Sequence, residues 1–295
     1  MKFVNPRNDV AFKKIFGNEH QPSILISFLN AVLDLRGDRE IQSLEFLNPY
    51  QAPKLEDLKD TTLDVRARDK RGVTFIVEMQ VEPRRGYEKR FLYYASKAYV
   101  GQIERGEDYP RLNQVIFIGI LDFAAFMGTD YLTRHLILNA RTQVQELKDL
   151  EFTFIELPKF TKDEAELETL LEKWIYFIKH ASDLEMVPAS ADHAALRAAY
   201  DIANTFGWSR NELEVYEYWS MRVQDERGAI EFAEERGVRR GRQEGEVVGL
   251  QRGKEETARK MLAKGYDVAE VADLTGLTGE EVAALVGAAT PPPEA

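Results

Sequence analysis

The chain has 295 residues, 44% hydrophobic and 30% charged, a globular composition long enough for one large domain or two ordinary ones. It has no cysteine, which excludes disulfides, zinc–thiolate sites and cysteine nucleophiles, and which fits a cytoplasmic home. The formal net charge of −11 excludes a broad basic footprint, but residues 1–123 hold 19 Lys+Arg against 18 Asp+Glu, so the acidity belongs to residues 124–295.

In chain order, Asn8 and Asp9 cap a short helix over residues 10–16 that Gly17 ends. Pro22 opens a second, in which Ile24, Leu25, Phe28, Leu29, Val32 and Leu33 repeat at helical spacing, with Gly37 as its stop. Residues 41–47 read as a strand, and a polar connection over 51–60 follows. Residues 61–69 and 73–80 then form a hairpin around Lys70-Arg71-Gly72: Leu63, Val65 and Ala67 alternate with Asp64, Arg66 and Arg68. Residues 87–105 read as a helix with Gly106 as its stop. The apolar run at 115–121 reads as a strand buried on both faces, and two further strands fall at 132–138 and 152–157. The longest apolar stretch, 115–127, contains Asp122 and is too short to span a bilayer, so no membrane partner is expected.

Beyond Pro158 the pattern turns helical, with a stripe of Leu167, Leu170, Leu171, Trp174, Ile175 and Ile178, and more helix at 192–206 and from 212 onward. Gly237, Gly241, Gly245, Gly249 and Gly253 recur every four residues. On a helix they form a ridge that admits a close neighbour, at about 1 kcal/mol of propensity each, which points to a homo-oligomer formed through the C-terminal helical region. Residues 256–286 read as two short helices resembling a helix-turn-helix. The second carries Glu280 and Glu281 where a DNA reader carries basic residues, which favours a packing or partner-binding element. The tail 289–295 reads as disordered. The domains expected are 1–160, a helical extension at 161–255, and the small element at 256–288.

The hairpin carries the chemistry. Asp64 lies in one arm, and Glu78 and Gln80 share a face of the other. A divalent ion needs oxygen ligands from a rigid frame; Asp64 and Glu78 supply two and the Met79 carbonyl a third, a set suited to phosphodiester cleavage. A solvated polar hairpin face is the plain alternative, but the apolar neighbours of Glu78 make an unpaired carboxylate costly there. Asp9 and Lys13 stand one helical turn apart, either as a surface pair or with Asp9 as a cap. Arg84, Arg85, Lys89 and Arg90 follow the Glu-x-Gln strand, interleaved with Tyr87, Phe91, Tyr93 and Tyr94, and suit either phosphate contacts or a solvated helix start. The four histidines have no metal-ligand spacing, and no serine-hydrolase or phosphate-loop signature is present.

The order αβββαβ, the opening Asn8-Asp9-Val10-Ala11-Phe12-Lys13-Lys14-Ile15-Phe16-Gly17, Leu63-Asp64-Val65, Val77-Glu78-Met79-Gln80 and the later Arg90…Tyr93-Tyr94 and Gly106…Tyr109 resemble the Rpn family. These are recombination-promoting nucleases, also labelled transposases, of the PD-(D/E)XK nuclease superfamily. The resemblance spans residues 3–160. It implies an α/β fold, a restriction-endonuclease-like αβββαβ core with a helical C-terminal extension. It also implies a metal-dependent DNA endonuclease with Asp64, Glu78 and Gln80 as catalytic residues and DNA as partner. Asp64 and Glu78 would hold Mg²⁺, with Mn²⁺ able to substitute, and Asp9 would be an accessory ligand. Arg84, Arg85, Lys89 and Arg90 would meet the nucleic acid. Gln80 stands where the superfamily has a lysine; it can orient water but brings no charge, so Arg66 and Lys97 are candidate compensating cations. Two other readings stay open: a nuclease-derived DNA-binding protein without catalysis, and a regulatory, self-associating protein.

Overall fold

A computed structural model of the chain describes residues 2–51, 61–83, 85–104 and 106–287. The polar connection at 52–60, Arg84 and the tail at 289–295 lie outside the described residues.

Two compact units divide at Val223 and Gln224. The first opens with α1 (Asp9–Phe16) and α2 (Ser23–Val32), then β1 (Leu44–Phe46), β2 (Tyr50–Gln51), β3 (Thr61–Thr62), β4 (Val65–Asp69) and β5 (Thr74–Gln80). α3 (Tyr87–Val100), β6 (Val115–Leu121), β7 (Leu132–Leu136) and β8 (Leu150–Glu156) follow, and then α4 (Leu170–His180) and α5 (Ala194–Ala203). Among the described residues six strands form one sheet in the order β1-β4-β5-β6-β8-β7, while β2 and β3 pair separately. β4 pairs antiparallel with both β1 and β5, β5, β6 and β8 are parallel, and β7 returns antiparallel on β8.

Sequence alternation decides the layers. Val65, Ala67, Phe75, Val77, Ile116, Ile118 and Ile120 face α1, α2, α4 and α5, whose Phe12, Phe16, Phe28, Trp174 and Tyr200 are buried. Ile76, Val115, Phe117 and Phe154 face α3 through Phe91, Ala95 and Ala98. β6 is buried along its whole length, as its unbroken apolar run predicts. The core does not stop at residue 160: Trp174, Ile178, Leu196 and Tyr200 belong to the same apolar cluster as α1 and α2. The amphipathic stripe of α4 is satisfied by the sheet domain itself.

Several boundaries differ from the sequence pattern. α2 ends at Val32, four residues short of Gly37, as the chain turns through Asp34 at φ +48° and the Leu35 amide donates back to the Asn30 carbonyl at 3.0 Å. α3 ends at Gly101 rather than Gly106, the poor propensity of glycine terminating the helix before the second signal. The β4–β5 turn forms as expected: the Asp69 carboxylate accepts from the Arg71 and Val73 amides at 2.9 and 3.1 Å, and Gly72 takes φ +85°, a conformation that favours glycine.

Gly119 lies beside Glu78 in the parallel register of β5 and β6. A methyl group there would sit 2.6 Å from the Phe154 ring. Gly119→Ala should therefore cost about 1–3 kcal/mol through overpacking. Thermal denaturation would read this as a melting point several degrees lower, and an unchanged one would mean the ring has room to yield.

α6 (Arg210–Ala263) begins in the first unit and continues as one 54-residue helix through all five glycines of the repeat. In the first unit it packs on the start of α1. The Asn8 side-chain oxygen caps α1 by accepting from the Val10 amide at 2.9 Å, and its amide group donates to the Ser220 hydroxyl at 3.0 Å. Lys14 pairs with Glu212. In the second unit the end of α6 joins α7 (Val268–Thr275) and α8 (Gly279–Gly287) around Ala258, Val271, Leu277 and Val282. Gly276, at φ +66°, closes α7 in the left-handed form that glycine favours. Among the described residues no helix is long and apolar enough to cross a membrane.

Candidate active site

The carboxyl ends of β5, β6 and β8 lie side by side, the usual place for a site in an open α/β sheet. Glu78 projects from β5 toward the α3 face and is buried. Asp64 is not within a strand: it occupies a bend between β3 and β4, just before Val65 pairs with Val77. The bend breaks the alternation, since Leu63 packs with the α3-side cluster although Val65 faces α1. The register of β4 and β5, continued by one residue, sets Asp64 opposite Glu78 across the end of the pair. Its amide donates to Glu78 Oε1 at 3.0 Å, and its Oδ2 accepts from the Met79 amide at 2.8 Å.

Burial is the main influence on both carboxyls. It pushes Asp64 up to about 7, against the opposing pull of the Lys13 charge and the Met79 amide. It drives Glu78 well above the usual carboxylate range, helped by the charge of Asp64 and opposed by the Asp64 amide, Arg90 and Lys13. Two adjacent buried carboxylates of this kind call for a cation.

Among the described residues, Lys13 and Arg90 are the cations that contact the site's side chains; Arg66 and Lys97 do not. Lys13 Nζ, one turn along α1, lies 2.7 Å from Asp9 and 3.5 Å from Asp64. Burial works to lower Lys13, but the charges of Asp64 and Asp9 outweigh it and hold it above its ordinary value. Arg90 donates to the Gln80 side-chain oxygen, while the Gln80 amide group donates to the Glu82 carbonyl at 2.7 Å. Of the expected phosphate contacts, Arg85 and Lys89 are exposed at the start of α3, whereas Arg90 is half-buried and turned inward to Gln80. Lys97 lies in the last turn of α3, about 10 Å further along the helix by its rise per residue. Arg66 is on β4, on the face toward α3; burial and then the charge of Arg68 lower it. Asp9 reaches the site through Lys13 and raises Asp64 further.

The donor set suits a hard divalent ion. Among the described residues no group of three or more His, Asp or Glu side chains converges, so protein ligands would number two carboxylates with backbone oxygen beside them. Mg²⁺ is commonly held in that way, by one or two carboxylates and the phosphates of its substrate. Sequence reasoning missed Lys13 as a neighbour of Asp64 and Arg90 as the partner of Gln80. The Asp9-x-x-x-Lys13 spacing was a signal for the first; nothing local marked the second. It also missed the ion pair at 3.0 Å between Arg7 and Asp122, whose amide donates to the Gln80 carbonyl and ties the end of β6 to β5.

A mixed sheet flanked by helices, with an Asp–Glu pair at its strand ends, defines an α/β protein of the restriction-endonuclease-like class. The family model for PD-(D/E)XK nuclease family transposases matches residues 6–233, and the chain belongs to that family. A second model, the C-terminal HTH domain of the Rpn/YhgA-like nuclease family, matches residues 252–286. That match covers α7 and α8 and makes the small element a helix-turn-helix, although Glu280 and Glu281 stand in the first turn of its second helix. No curated protein and no solved structure gives a match.

Proposed function

We propose that the protein is a metal-dependent DNA endonuclease hydrolysing phosphodiester bonds, in DNA recombination or the biology of mobile elements. The observation that carries this reading is the Asp64–Glu78 pair at the strand ends, Glu78 buried and Asp64 largely so, inside the segment that the nuclease family model spans. Asp64 and Glu78 would hold Mg²⁺ or Mn²⁺, with the Met79 carbonyl beside them. The ion, when bound, would supply Lewis-acid stabilisation of the phosphoryl oxygens and an acidified water. Gln80 uses one N–H and one lone pair on Glu82 and Arg90, which leaves a second N–H and a second lone pair to orient the attacking water. Arg90 fixes that amide. Lys13 brings the positive charge that Gln80 lacks and faces the charge developing on the phosphate.

The test is relaxation of supercoiled plasmid by the purified chain with Mg²⁺, with Mn²⁺ and with EDTA. Nicking with either metal and none in EDTA is expected. Nicking that persists in EDTA, or none with either metal from folded protein, would overturn the reading. Lys13→Gln should lower cleavage by about 10²-fold, the scale of one lost electrostatic group, while leaving Mn²⁺ binding intact or tighter. A Lys13→Gln protein that cleaves like the wild type would remove that residue from the mechanism.

A further inference from the structure

Four buried side-chain polar atoms without a hydrogen-bond partner fall on the α3 side of β4 and β5, the face that Glu78 shares. They are Nε of Arg66, Arg68 and Arg90 and the hydroxyl of Thr74; among the described residues the one other such atom is the Thr153 hydroxyl. Register sets the patch. Arg66 pairs with Ile76 and Arg68 with Thr74, so all four side chains are on the α3 face of β4 and β5, and Arg90 comes to that face from the start of α3. Thr153 belongs to the opposite face, since Phe152 and Phe154 on either side of it pack toward α3.

Neither Arg66 nor Arg68 makes an ion pair or a side-chain hydrogen bond to a described residue. Glu45 stands across from Arg68 on β1 and forms no ion pair with it. Glu78 is already engaged with the Asp64 amide. Two guanidiniums two residues apart on one strand face repel each other, and each buried donor left unmade costs about 1–3 kcal/mol. Such an arrangement provides paired, forked donors for an anion that arrives from outside.

We infer that Arg66 and Arg68 are a docking track for the sugar–phosphate backbone of DNA, leading along β4 to the Asp64–Glu78 pair. The spacing supports a polymer over a single anion: Arg66 and Arg68 follow Asp64 at about 7 and 13 Å by the rise of a strand, so that successive phosphates of one strand would meet successive guanidiniums. This rests on the nuclease reading and adds the face over which the substrate runs. It also relocates the phosphate contacts from the exposed start of α3 to β4.

The experiment is fluorescence anisotropy of a short labelled duplex in EDTA, over a range of salt, with the full chain as wild type, Arg66→Gln/Arg68→Gln and Asp64→Asn. The double variant should lose about 2 from the slope of log K against log salt, at about 0.9 per phosphate contact, and bind at least about tenfold more weakly at low salt. Its melting point should equal or exceed that of the wild type, because repulsion and orphaned donors are removed. Asp64→Asn should keep the wild-type slope. An unchanged slope in the glutamine pair, or a clearly lower melting point, would overturn the track and leave the nuclease reading standing. Should the glutamine pair not fold, Arg66→Lys/Arg68→Lys decides: a folded protein with the full slope supports the track, and an unfolded one overturns it. A wild type that binds no duplex would overturn both.

Discussion

Asp64→Asn should abolish cleavage while producing a more stable metal-free protein. The side chain keeps its shape and its bond from the Met79 amide, so the bend before β4 survives. What disappears is one of the two charges that the ion requires. The expected loss is at least about 10²–10³-fold in rate, the scale for removing one preorganised charged group from a site. The expected gain in stability arises because a buried carboxylate, opposed only by Lys13 at 3.5 Å and its own hydrogen bonds, is replaced by a neutral group. Activity and melting point moving in opposite directions are the signature of a functional residue. If both fell together, Asp64 would be a structural residue of the hairpin.

The second large effect is on pH dependence. Asp64 is held at about 7 in the fold, against an ordinary value of 3.8. An acid raised by folding binds more protons folded than unfolded, so its contribution to stability is fully present below the lower value. That contribution declines as pH rises through the upper one. Glu78, raised by the same burial, titrates with Asp64 as a pair and acts in the same direction. Glu172 and Glu212 act in the opposite sense, because lysine partners and backbone amides hold both carboxyls down at about 2. Their stabilisation is present above the ordinary glutamate range and is lost only in acid. Between about pH 4 and 7 the metal-free wild type should therefore lose stability relative to Asp64→Asn, read as a falling difference in melting point. Mg²⁺ should restore it, since a cation replaces the protons. Parallel melting curves for the two proteins across that range would contradict the raised carboxyl.

Much of this site was legible in the sequence. Asp64 and Glu78 do come together at the end of one hairpin, because alternating apolar residues and Gly72 dictate the arms and the turn. The apolar run of β6 declared a doubly buried strand. The bend that carries Asp64 was not legible: Leu63-Asp64-Val65 holds no glycine or proline, and strict alternation would have put Leu63 on the same face as Val65. Long-range partners were hidden for a similar reason. The spacing of Asp9 and Lys13 shows that they can pair, but not that α1 lies across the hairpin and delivers Lys13 to Asp64. The amphipathic stripe of α4 shows that it must be covered, but not that α1, α2 and α5 share its core. Arg90 read as one of a run of surface cations, and only the approach of α3 to β5 turns it inward. Arg84, from the same run, lies outside the described residues.

The most direct test of the central claim is calorimetric titration of Mn²⁺ into the wild type and Asp64→Asn, in two buffers of different ionisation enthalpy. The wild type should hold a site whose filling releases protons near neutral pH, and that site should be lost or markedly weakened in Asp64→Asn. Equal Mn²⁺ binding by the two proteins, with the same proton release, would show that the Asp64–Glu78 pair does not hold the metal.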